Sequence, residues 1–199
     1  IYPMGKRFRR KIKYTGKAFG TAFNVAQKAL STALKVKSLL NVEFKHVDTA
    51  PVDITPSSSG VVLAFNAIAE GDASNERSGL SVRNKSLFIR YTVAEHGTAT
   101  RTSVRMIIFK DQQPNGTTPS VTDLLESADI VALNNNVNTR RFTILKAKSY
   151  SLSENGPMML HGEEYMKLNF HTKYLTGSGA STAIGYNGLY MLLISNQPT

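Results

Sequence analysis

Residues 104–109, Val104-Arg105-Met106-Ile107-Ile108-Phe109, decide the fold. Successive side chains of a strand point to opposite faces. Here Val104, Met106 and Ile108 on one parity, and Ile107 and Phe109 on the other, are all apolar, the pattern of a strand covered on both sides. Leu189-Tyr190-Met191-Leu192-Leu193-Ile194 is apolar throughout and reads as a central strand. Outward from these two, β-branched and aromatic runs of period two recur at 42–54, 60–69, 82–94, 101–110, 141–152, 163–175 and 187–195. A short strand at 157–161 makes eight. Turn-forming stretches at 55–60, 70–76, 112–119 and 176–181 separate the runs. One helical turn interrupts them after Pro119, where Ser120 and Asp123 stand three apart, as in a capping box. Many short strands without alternating helices predict an all-β sandwich or jelly roll, two packed antiparallel sheets.

Before Asn41 the period is different. Over residues 17–40, Phe19, Ala22, Phe23, Ala26, Ala29, Leu30, Ala33 and Leu34 share one face at about 100° per residue. Lys17, Lys28 and Lys35 line the opposite face. The alanine-rich interior favours a helix, and Gly20 weakens only its first turn. Ahead of it, Lys6-Arg7-Phe8-Arg9-Arg10-Lys11-Ile12-Lys13-Tyr14 is a basic run with interleaved aromatics. The chain therefore divides into an N-terminal arm, 1–41, and a β domain, 42–199. It opens at Ile1 and not at a methionine, the start expected of a piece of a longer product.

Charge follows the same division. The net charge is +10, and residues 1–45 hold eleven Lys or Arg against one acid, Glu43. That accounts for all of it, since the remaining residues carry thirteen charges of each sign. A cationic arm on a neutral domain points to a polyanion. Lys6, Arg7, Arg9, Arg10, Lys11, Lys13, Lys17, Lys28 and Lys35 are the expected nucleic-acid contacts. Such groups release counterions from a phosphate backbone whatever its sequence. The arginines fork onto phosphate oxygens, while Phe8 and Tyr14 suit stacking on unpaired bases. Phe19, Phe23, Leu30 and Leu34 are the expected helix-packing residues, against the β domain or other copies of the helix, because an isolated helix of this length is marginal in water.

Enzyme chemistry finds no support. The 199 residues contain no cysteine and no tryptophan, which removes thiol nucleophiles, disulfides and cysteine-held zinc. His46, His96, His161 and His171 lack metal-ligand spacing. Glu163 and Glu164 are adjacent, so in a strand they face opposite ways and make no catalytic pair. No catalytic residue, metal or cofactor is expected.

Three segments carry a family resemblance: Glu70-Gly-Asp-Ala-Ser-Asn-Glu-Arg-Ser-Gly-Leu-Ser-Val-Arg83; Val104 to Asp111 with Asn115-Gly-Thr-Thr-Pro-Ser-Val-Thr-Asp-Leu-Leu125; and Arg141-Phe-Thr-Ile-Leu-Lys146. Together they resemble coat proteins of the satellite tobacco necrosis virus type. They resemble equally the capsid proteins of small circular single-stranded DNA viruses. The resemblance implies an eight-stranded single jelly roll behind a basic amphipathic helix. It also implies self-assembly, most simply into a T=1 icosahedral shell of about sixty subunits, and a place in the virion, with assembly in the host nucleus or cytoplasm. The genome packaged by the arm is single-stranded; DNA is favoured because that group contains many such sequences, with RNA the other option. Calcium ligation by acids near the carboxyl end has no matching residue here, and Ala147 stands where the family often has an acid. Two other readings fit the same arm: a non-viral nucleic-acid-binding β-domain protein, and a protein whose basic helix is membrane-active.

Overall fold

The computed structural model describes residues 16–39, 44–95, 97 and 101–198, and within its first helix the side chains of 23–35. Lys6, Arg7, Arg9, Arg10, Lys11 and Lys13 lie outside the described residues, as do His96 and the side chains of Lys17 and Phe19. In order, the elements are α1 (Gly16–Leu39), β1 (Val61–Ala64), β2 (Ser81–Ala94), β3 (Arg101–Asp111), α2 (Val121–Leu124), β4 (Phe142–Ser153), β5 (Met159–Tyr174), β6 (Ile184–Tyr186) and β7 (Gly188–Ser195). The chain falls into two compact units, one ending at Phe44 and one beginning at Lys45. The first is built on α1, within one residue at each end of the helix expected from the alanine-rich periodicity.

The second unit is two antiparallel sheets, ordered β1-β7-β3-β4 and β2-β5-β6. This is a jelly roll, and β7 lies between β1 and β3, as its unbroken apolar run predicts. Met106, Ile108, Leu168, Leu189 and Met191 pack between the sheets, with Leu87, Ile89, Met166 and Phe170 completing that core from β2 and β5. On the other side of β3 and β7, Ile107, Phe109, Tyr190 and Leu192 meet Leu124 and Leu125 from the 112–141 connection. Ile107, Ile108 and Phe109 are fully buried, so β3 is sheathed on both faces. Each such side chain contributes about 1.5–3 kcal/mol by leaving water. The capping box forms as spaced: Ser120 Oγ accepts from Asp123 N at 3.2 Å, and Asp123 Oδ2 accepts from Ser120 N at 2.8 Å.

The strand count is seven among the described residues, not eight. The segments expected separately at 157–161 and 163–175 form one strand, β5. Gly162 keeps the ladder, pairing with Tyr91, whose ring lies across the glycine where a Cβ would stand. The described part of the 42–54 run is unassigned to any strand, and of the run at 60–69 Val61–Ala64 is assigned as strand. Pro51 within the first run and Pro56 just after it offer no backbone donor. The three-residue β6 is an addition that periodicity did not announce.

Candidate nucleic-acid interface

On α1, every described side chain from Phe23 to Lys35 is exposed. Lys28 sits with Asn24, Gln27 and Ser31 in a shallow polar patch, and Ser31 Oγ donates to the Lys28 carbonyl at 2.9 Å. Phe23, Leu30 and Leu34 are 64%, 62% and 57% exposed, so the apolar stripe is open along this helix. Lys28 and Lys35 are both exposed on this helix.

A second cationic surface lies on the β domain and was missed by the charge count. The sheet of β1, β7, β3 and β4 is buried on both sides at its centre, whereas β2 and β5 leave one side to solvent. Across that side the register places Ser81 opposite Lys173, Arg83 opposite His171, Ser86 opposite Lys167, Phe88 opposite Tyr165 and Arg90 opposite Glu163. Tyr186 follows beside Lys173. Arg83, Lys85, Arg90, Lys167 and Lys173 are thus gathered on one face against the single carboxylate of Glu163, all exposed. Arg83 donates through Nε at 3.1 Å and Nη2 at 2.6 Å to Asn169 Oδ1, which holds its guanidinium flat along the sheet. Phe88 and Tyr165 are 53% and 61% exposed, and the Arg90 guanidinium lies 5.3 Å from the Phe88 ring centroid.

Glu163 and Glu164 do face opposite ways. Glu163 Oε2 is 3.5 Å from Arg90 Nε in the open, a pairing of little energetic weight. Glu164 is 6% exposed and turns between the sheets, where it pairs with Lys148 and, at 3.2 Å, with Lys146 of β4. Hydrogen bonding to Lys148, then to Lys146, holds the Glu164 carboxyl below its ordinary range, and Lys148 is raised in return. Beside it the Tyr91 and Tyr150 hydroxyls share a hydrogen bond, with their rings edge to face at 5.9 Å. Burial, then that hydrogen bond, pushes the Tyr150 hydroxyl up. The cluster is a polar strut between the two sheets.

The segments that carried the family resemblance prove to be braces. Arg77 is 2% exposed; its Nε donates to Ile68 O at 2.8 Å, and its other nitrogens reach Gly79 O and Thr176 O. Its guanidinium lies 3.9 Å over the Tyr174 ring, and burial pushes the Tyr174 hydroxyl up to about 12. Gly79, at φ +82°, supplies the left-handed turn that lets Arg77 reach back. Asp111, fully buried, accepts from Arg141 Nε at 2.9 Å and Nη2 at 2.7 Å, closing the end of β3 on the start of β4. Among the described residues, no group of three His, Asp or Glu is placed to hold a metal.

A jelly roll that follows a cationic amphipathic helix fits the class of small viral coat proteins. The family model described as satellite tobacco necrosis virus coat protein matches residues 22–199. The capsid protein of Satellite tobacco necrosis virus 1 is 30% identical over 178 residues, 83% of this chain and 86% of that protein. The coat protein of Maize white line mosaic Satellite virus is 25% identical over 175 residues, with 81% and 78% covered. That of Satellite tobacco necrosis virus 2 is 27% identical over 150 residues, with 73% and 74% covered. The chain belongs to the satellite tobacco necrosis virus coat protein family. Membership makes it a structural protein of the virion, one that assembles with its own copies around a genome.

Proposed function

We propose that this coat protein closes into an icosahedral shell of about sixty copies and packages single-stranded nucleic acid through residues 1–41, with 42–199 forming the wall. The observation that carries this is the segregation of charge: the whole net +10 resides in residues 1–45. Lys6, Arg7, Arg9, Arg10, Lys11, Lys13, Lys17, Lys28 and Lys35 neutralise phosphate. Sixty arms bring roughly 600 positive charges inside, enough for a genome segment of similar nucleotide count. Phe19, Phe23, Leu30 and Leu34 pack against the wall or neighbouring arms, which gives the open apolar stripe of α1 a partner. The three relatives are all satellite-virus coat proteins, so the lean towards DNA gains no support from them. Assembly takes place in the host nucleus or cytoplasm.

Expression of the chain followed by electron microscopy tests the shell, with closed particles near 20 nm across expected, an order-of-magnitude figure for about sixty domains of this size. Ribonuclease and deoxyribonuclease digestion of the contents identifies the nucleic acid. A product that stays monomeric in low and high salt, from neutral to mildly acid pH, overturns the closed-shell reading.

A further inference from the structure

The open face of the β2–β5 pair has features that neither the fold nor the arm requires. Two large aromatic side chains stand exposed at its centre, opposite each other in the register. Nothing in the core needs them there, because the inward positions Leu87, Ile89, Met166 and Leu168 already fill the space between the sheets. Around the aromatics stand five cations and one carboxylate. Resting on the packaging reading above, we infer that this face is a second nucleic-acid contact, one that stacks unpaired bases on Phe88 and Tyr165 and holds their phosphates with Arg83, Arg90, Lys167 and Lys173.

Spacing and charge both favour this occupant. Arg90 is two residues from Phe88 and Lys167 two from Tyr165, so each ring has a cation about 7 Å along its own strand. A base lying on either ring therefore brings its phosphate to a guanidinium or ammonium group. Stacking on exposed aromatics is tolerant of sequence and needs an unpaired base, since a duplex hides its π-faces. A twofold contact with the same face of another copy sets five cations against five, which like-charge repulsion opposes. A polyanion instead meets complementary charge. The contact is independent of the arm in chain position, and its rings and cations stand in fixed register on two paired strands.

The full-length chain is tested with two probes: a bromouracil-substituted single-stranded oligonucleotide of about 16 nucleotides, and a duplex of the same length. Photocrosslinks are mapped by mass spectrometry, and affinities are measured for the chain, for F88S/Y165S, for the conservative pair F88Y/Y165F and for R83Q/K167Q. Crosslinks at Phe88 or Tyr165 are expected. F88S/Y165S loses on the order of tenfold in single-strand affinity per lost stack with duplex affinity unchanged, and F88Y/Y165F restores it. R83Q/K167Q weakens both probes and flattens the salt dependence. Crosslinks confined to residues 1–41, with F88S/Y165S binding the single strand as the parent does, overturn the inference and leave arm packaging standing. Loss of shell assembly by F88S/Y165S with unchanged single-strand affinity also overturns it, and marks the face as a contact between copies. Failure of the parent chain to bind either probe overturns this inference and the packaging reading together.

Discussion

Arg141 grips the fully buried carboxylate of Asp111 with two nitrogens, and the two residues differ sharply in their access to water. The Arg141 side chain is 27% exposed and that of Asp111 is not exposed at all. Asp111 Oδ1 also accepts from Gln113 N at 3.0 Å, so the carboxylate organises the exit of β3 as well as the entry of β4. The hydrogen bond to Asp111 raises the Arg141 pKa.

Removing the two partners therefore has unequal effects. Arg141→Ala leaves a buried charge uncompensated and is expected to cost about 3–5 kcal/mol. Asp111→Asn leaves a guanidinium that water reaches, and costs about 1–3 kcal/mol. Urea unfolding of both variants measures the difference. Equal losses would show that the carboxylate is solvated once the arginine is gone.

Glu164 predicts how the jelly roll responds to acid. Its folded pKa is lowered by Lys148 and Lys146, relative to about 4.3 for an unfolded glutamate. The contribution is thus fully present above about pH 4.3 and is lost as pH falls through the folded value. Stability of the parent should decline on acidification across that window more steeply than stability of Glu164→Gln. Unfolding midpoints between roughly pH 3 and 6 give the comparison. Parallel curves would assign the acid response to other carboxylates.

Gly162 is expected to resist substitution. A Cβ there would run into the Tyr91 ring, and the Tyr91 hydroxyl is engaged with Tyr150. Gly162→Ala should cost about 1–3 kcal/mol by overpacking. Tyr91→Leu in the same chain should recover part of that loss, since a shorter side chain clears the site. A Gly162→Ala chain with the parent's thermal midpoint would show that the ring swings aside freely.

The two faces of α1 should separate cleanly. Replacing Lys17, Lys28 and Lys35 by Gln is expected to lower packaged nucleic acid and weaken its salt dependence without lowering shell yield. Replacing Phe23 and Leu30 by Ser should instead impair assembly. Ultraviolet absorbance ratios of purified particles and particle counts read both effects. The reverse pattern would make α1 a surface or membrane element.

The features legible in the sequence were those written in local periodicity. Val104 to Phe109 and Leu189 to Ile194 announced strands covered on both faces, and Ser120 with Asp123 announced the short helix α2. The basic sheet face was hidden by a bulge. Arg83 and Lys85 have one parity while Phe88 and Arg90 have the other, so an unbroken strand would send them to opposite sides. At the register shift between Asn84 and Ser86, the single residue Lys85 of β2 stands against two of β5, the alternation of β2 breaks, and all four side chains are exposed. The balanced charge of residues 46–199 hid it too, because a sum over the domain says nothing about which side carries the cations. Tyr91, Tyr150 and Glu164 meet across two sheets from strands far apart in the chain, a closeness that no local pattern encodes. Arg77 and Gly79 stand in the first of the three resemblance segments, but their bracing role appears only when Tyr174 and Thr176 come alongside.

The two sheets of the jelly roll also differ in how freely they can change over generations. Residues of β3 and β7 are enclosed on both sides, so nearly every replacement there disturbs packing and is filtered by stability. The outward residues of β2 and β5 touch little of the core, and substitutions at such surface positions usually fall within about 0.5 kcal/mol of neutral. One wall of the same domain is conservative by construction, and the other is a surface on which lineages can try new charges and rings at almost no cost to folding.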